Sequence, residues 1–217
     1  MRLKEIHLLT DDLERTFLFY QQFLHGKGFS SDQSYVSVMM GETKLVFTAS
    51  THMKPYYHFA FDVPVNRLEK TMDWLSVRVP ILPVPGSGFI ADFVSWNARS
   101  FYFYDNNHNI VELICRYDTD HRAAEQQPDP CILYASEFGI VTSDVSRFSD
   151  LLMECYNLEI FSKQPRQENF TAIGDDSGLF IIAGTERNWY PTDRPSRSYP
   201  ARIVFHSKGQ DHELLID

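Results

Sequence analysis

Cysteine is scarce in this chain of 217 residues: Cys115, Cys131 and Cys155 are the whole complement, an odd number with no CxxC spacing. That excludes a disulfide framework or a zinc knuckle as what holds the fold, and it fits reduced thiols in a cytoplasmic protein. Long apolar runs are missing as well. No stretch approaches the ~18 uninterrupted apolar residues of a membrane-crossing helix. The start, Met1-Arg2-Leu3-Lys4-Glu5, enters an amphipathic pattern without the apolar core of a secretory signal. Positive charge is in short supply: 20 Lys and Arg stand against 29 Asp and Glu, a formal charge of −9. With no basic stripe, neither nucleic acid nor an anionic membrane is an expected partner.

What is present is ordinary globular composition, 43% hydrophobic and 23% charged. A chain of this length buries about 70–75% of the surface its unfolded form exposes, so it needs no metal merely to fold. Any metal would therefore serve function.

The chain repeats itself. Ile6-His7-Leu8-Leu9-Thr10-Asp11-Asp12-Leu13-Glu14-Arg15 is echoed by Phe138-Gly139-Ile140-Val141-Thr142-Ser143-Asp144-Val145-Ser146-Arg147. A looser copy, Tyr57-His58-Phe59-Ala60-Phe61-Asp62-Val63, lies between them. Each copy runs from an apolar strand into a helical pattern. Leu13, Phe17, Tyr20 and Leu24 form one stripe, with Asp11 and Glu14 as a capping box. Val65, Leu68, Met72, Leu75 and Val79 form a second, and Val145, Phe148, Leu152 and Cys155 a third. Pairs of β-rich runs follow each helix: 34–39 with 44–48, 100–104 with 109–114, and 169–173 with 178–182. Polar or Pro-rich linkers separate the units at 49–55, 118–130 and 185–200. The stretch 201–205 opens a fourth unit that the remaining dozen residues cannot complete.

With this repeat, the chain resembles the vicinal oxygen chelate superfamily of glyoxalase I, extradiol dioxygenases, fosfomycin-resistance enzymes and bleomycin-binding proteins. The resemblance rests on Ile6-His7-Leu8 leading into Phe17-x-x-Tyr20, on Tyr57-His58-Phe59-Ala60-Phe61, and on Phe101-Tyr102-Phe103-Tyr104-Asp105 followed by Asn109-x-x-Glu112-Leu113. It implies an α+β fold in which βαβββ modules wrap a curved mixed sheet into a cup with helices on its outer face. Residues 1–117 would form one cup from modules 1–50 and 56–117. Residues 131–217 would form an incomplete second cup, packed on the first or buried in a homodimer.

The same resemblance implies a divalent metal, Fe(II), Mn(II), Zn(II) or Ni(II), held by His7, His58 and Glu112, and a small substrate that chelates it through oxygen. The fourth ligand position falls at about Val46, which departs from the glyoxalase I pattern. Glu112 is also notable unaided, because it interrupts the apolar run 110–114 and a buried carboxylate needs a cation or hydrogen-bond donors. By the two-residue period of a strand, Ser100, Tyr102 and Tyr104 share one face. Tyr102 is the expected proton donor or substrate contact, and Ser100, Arg99 and Trp96 are further expected substrate contacts. A metal-free module binding an aromatic or cationic drug, as in bleomycin resistance, is the alternative function.

Overall fold

A computed structural model describes residues 1–217. The first module comprises β1 (Arg2–Thr10), α1 (Leu13–Gln22), β2 (Lys27–Ser31), β3 (Tyr35–Met40) and β4 (Thr43–Ala49). The second comprises β5 (His58–Asp62), α2 (Leu68–Ser76), β6 (Ala91–Phe93), β7 (Ala98–Tyr104) and β8 (Ile110–Arg116). The third has β9 (Tyr134–Thr142), α3 (Val145–Tyr156), β10 (Phe170–Asp175) and β11 (Gly178–Gly184). The fourth is a bare hairpin, β12 (Ala201–Ser207) and β13 (Gln210–Ile216).

The repeated Asp-aliphatic-x-Arg motif does one job in both copies. Asp12 caps α1 and Asp144 caps α3, each side chain accepting the backbone N–H three residues on, from Arg15 and Arg147, at 2.9 Å. Such a side chain satisfies one of the orphan donors at a helix start. The cap of α1 is thus Asp12 rather than the Asp11 of the expected capping box.

The modules do not pair in the expected order. Module one and the terminal hairpin form a six-stranded sheet, β13-β12-β1-β4-β3-β2. Modules two and three form a seven-stranded sheet, β10-β11-β9-β5-β8-β7-β6. The boundary expected at residue 117 therefore falls inside a sheet, since β5 of the second module lies antiparallel to β9 of the third. Strand alternation explains how this pairing was hidden: both partners of β5 and both partners of β1 present the same apolar outer face.

Both sheets are curved and mixed, and their helix-covered faces share one core of 36 buried residues, with Phe59, Phe61, Phe101, Phe103, Val111 and Leu113 from the larger sheet. The opposite face of the larger sheet has its own core of 16, with Ala60, Tyr102, Ile110, Ile114, Ile181 and Trp189. Two-residue alternation along β5, β7 and β8 thus sorts side chains into an outer and an inner layer. The inner layer is where polar groups interrupt the apolar pattern. No helix is long and apolar enough to cross a membrane.

Candidate metal centre

The middle of the larger sheet brings together three ionisable side chains on its inner face. His58 on β5, Glu112 on β8 and Glu137 on β9 are all buried, and one ligand atom of each lies within 4.8 Å of the others. The register explains the convergence. Ala60 pairs with both Glu112 and Glu137, so the two carboxylates flank one row of the sheet, with His58 two residues along the same strand face.

His58 Nδ1 lies 3.2 Å from the Ile110 carbonyl oxygen, a contact that places the ring proton on Nδ1. The Nε2 lone pair is left facing Glu112 Oε2 at 3.6 Å. A lone pair opposed to a carboxylate repels it unless a proton or a cation lies between them. Burial lowers the His58 pKa and so disfavours the proton on the ring. Burial raises Glu112, and burial together with the charge of Glu112 pushes Glu137 up to about 7.

The surrounding groups orient the carboxylates without neutralising them. The Tyr102 hydroxyl donates to Glu112 Oε1 at 2.8 Å. Arg116, 1% exposed, donates to Asp62 and to Glu137 Oε1, and reaches Ser136 Oγ at 3.0 Å. Three buried carboxylates, Asp62, Glu112 and Glu137, therefore face one buried guanidinium. With all of them ionised the buried charge is −2, the charge a divalent cation cancels. A neutral imidazole with its distal N–H tied to a carbonyl, together with two oriented carboxylates, is a donor set suited to such an ion.

The expected site residues divide. His58, Glu112, Tyr102 and Trp96 line one cavity of about 260 Å³. Ser100 is buried on the same face as Tyr102, and its hydroxyl has no partner within the chain. Arg99 points the other way and pairs with Glu69 of α2 at 2.6 Å. Tyr102 is not free to donate a proton, because its hydrogen bond is committed to Glu112 and burial beside that charge holds its pKa well above the ordinary tyrosine value. That bond holds the Glu112 carboxylate in one orientation.

His7 does not join the cluster. It lies on β1 in the smaller sheet, with Nε2 2.8 Å from a Glu5 oxygen and 2.7 Å from the Arg202 guanidinium. Both central strand pairs carry a bulge, at Lys4 in β1 and at Ser136 in β9. Matching the two registers sets Glu5 against Glu137, Arg202 against His58 and His7 against Gly139. The smaller sheet thus holds an arginine where the larger holds the imidazole. The fourth position of each set is apolar, Val46 in one and Ile181 in the other.

Glu137 was not anticipated, although it interrupts an apolar run just as Glu112 does. The signal was a second alignment. Tyr57-His58-Phe59-Ala60-Phe61 and Ser136-Glu137-Phe138-Gly139-Ile140 share an ionisable residue followed by Phe, a small residue and a large apolar one, and they place the histidine and the glutamate at equivalent points of neighbouring strands. Gly139 makes room for Trp189, since a Cβ there would lie 2.6 Å from the ring that packs over it and would force the ring to move. Trp189, together with Tyr190, comes from the loop 185–200, whose sequence carried no periodic signal.

No family model and no curated protein matches the sequence. Solved structures do match its shape. Glyoxalase I from Zea mays, as the V278E mutant, superposes with a TM-score of 0.57 over 99% of this chain and 92% of its own, at 13% identity. A presumptive dioxygenase from Bacillus subtilis gives 0.60 over 84% of this chain and 63% of its own, at 15% identity. The fosfomycin-resistance protein FosX from Listeria monocytogenes covers 55% of this chain and 97% of its own, at 20% identity and a TM-score of 0.43. At these identities the likeness is one of fold: the chain has the architecture of glyoxalase I and of the dioxygenase-like structure, the α+β arrangement of curved mixed sheets that the sequence resemblance implies.

Proposed function

We propose that this protein is a divalent-metal-dependent enzyme acting on a small substrate that offers oxygen atoms to the ion, with His58, Glu112 and Glu137 as its protein ligands. The observation that carries the reading is the His58 Nε2 lone pair turned toward two buried carboxylates, three ligand atoms within 4.8 Å of one another and so within reach of one cation. One imidazole and two carboxylates favour Mn(II) or Fe(II) among the first-row ions. Bound there, such an ion would supply Lewis acidity to oxygens of the substrate.

The chain's own groups set the conditions for that chemistry. Ile181 fills the fourth symmetric position, so the protein offers three ligands and leaves the remaining directions to ligands from the cavity. Tyr102 and Arg116 each hold one carboxylate from behind, which fixes its orientation. The aromatic walls lower the local dielectric and so strengthen charge interactions at the ligands. Titration of chelator-treated protein with Mn(II), followed by calorimetry or electron paramagnetic resonance, tests the reading. Wild type should bind one equivalent, whereas H58A and E137Q should bind more than ~100-fold more weakly. H7A should match wild type. Equal binding by wild type and H58A would sink the assignment.

A further inference from the structure

The cavity that opens on the three ligands has a cation of its own. Arg187, half-buried in the loop after β11, lines it, and its guanidinium lies over the Phe170 ring at 4.4 Å from the centroid. The other cations near the site are engaged. Arg116 is held by Asp62 and Glu137, and Lys163 lies between Asp118 and Asp176 at 2.7 Å from each. The Arg187 side chain makes no ion pair and no hydrogen bond within the protein. An arginine stacked on an aromatic face presents its N–H fork edge-on, in the geometry that matches a carboxylate.

Two further observations narrow what it meets. The walls of the cavity are flat and apolar, with Phe93, Trp96, Phe170, Trp189 and Tyr190. Its volume of about 260 Å³ has room for one ring and a substituent. In addition, the buried Trp189 Nε1–H has no acceptor in the protein and so offers a donor to an oxygen. With the metal site neutral, Arg187 leaves the cavity one positive charge in excess, which suits a monoanion.

We propose that the substrate is a small single-ring acid whose carboxylate is taken by Arg187 while its opposite end faces His58, Glu112 and Glu137. The charge argument and the direction of binding rest on the metal reading above; the Arg187 contact does not. The recognition element is then the loop 185–200, which brings Arg187, Trp189 and Tyr190 to the cavity.

Benzoate and its neutral isostere benzamide are the probes, read by calorimetry and by fluorescence of the cavity tryptophans Trp96 and Trp189. With Mn(II) bound, wild type should bind benzoate at least ~10-fold more tightly than benzamide, and chelation should shrink that preference without abolishing it, because the uncovered carboxylates then oppose the attraction of Arg187. R187Q should bind the two equally while keeping the wild-type Tm and Mn(II) affinity. Equal affinities in wild type would overturn the proposal. So would a preference for benzoate that survives in R187Q, because the carboxylate would then sit on another group. A benzoate preference that depends on Arg187 in a protein that binds no Mn(II) would uphold the acid site and remove the metal reading instead.

Discussion

Arg116 is the side chain on which the inner face of the larger sheet depends. It is wholly buried, and its attraction to Asp62 and Glu137 outweighs the cost of burial and holds its pKa above the usual arginine range. Removing one partner of such a set leaves a charge without compensation in a dry interior. R116M should therefore lose ~3–5 kcal/mol of stability in denaturant unfolding, far more than its apolar volume alone would cost. Y102F makes a milder contrast. It leaves packing intact and removes the Tyr102 hydrogen bond to Glu112, so stability should fall by about 1 kcal/mol while Mn(II) affinity falls ~10–100-fold. Equal effects of Y102F and wild type on affinity would show that Glu112 needs no such support.

At the scale of elements, the loop 185–200 is fastened by two tyrosines that precede β5. Tyr56 donates to the Pro195 carbonyl at 2.6 Å and Tyr57 to the Pro200 carbonyl at 2.7 Å. Burial pushes the Tyr57 hydroxyl up to about 12. In the unfolded chain this group ionises near 10, so between about pH 10 and 12 the folded state binds the extra proton and stability declines as pH rises. Thermal melts across that range should show the decline in wild type and less of it in Y57F, after the contribution of Tyr134, also raised to about 12, which both proteins share. Identical slopes would mean that Tyr57 ionises as freely in the fold as outside it.

The elements themselves were largely legible in the sequence. The 3.6-residue stripes and paired aspartates mark α1 and α3, and the alternation around Glu112 correctly separates Ile110 and Ile114 from Val111 and Leu113. The short strands β2 and β6 were not legible, since Lys27–Ser31 and Ala91–Phe93 have too few apolar residues to show a period. Half of the candidate site was visible as well. Glu112 stands out because it is polar within an apolar run, whereas His58 is reached only through the resemblance to the superfamily's repeated module. Glu137 was masked because the strongest repeat aligns β9 with β1, which puts Gly139 opposite His7 and draws attention one row away from the ligands.

The whole molecule differs most from the sequence-based expectation, because repeats reveal modules but not their partners. All modules have the same outer face, so apolar patterning permits several pairings, and only the long-range register decides among them. The observed pairing makes a strong prediction for a fragment ending at Tyr117. It would retain β5 with one edge stripped of β9 and β1 with one edge stripped of β12, and it would lack Glu137. Such edges are aggregation templates. The fragment should be insoluble or unfolded and should bind no Mn(II). A monomeric, metal-binding fragment would contradict the module pairing described above.

The nesting of one sheet inside the other in chain order has a consequence for synthesis. The strands that carry His58, Glu112 and Glu137, and the partners that flank them, are all complete by Gly184, whereas β1 waits for Ala201–Ser207 to supply its second neighbour. As the polypeptide leaves the ribosome, the inner sheet can close over loops of under a hundred residues, while the outer one must bring together segments nearly two hundred apart. The entropy of closing the longer loop is the larger by about 1 kcal/mol, which favours the same order in free solution. Vectorial growth and loop entropy therefore agree: the ligand-bearing half takes shape while β1 still has an open edge, the interval in which a holdase would find most to bind.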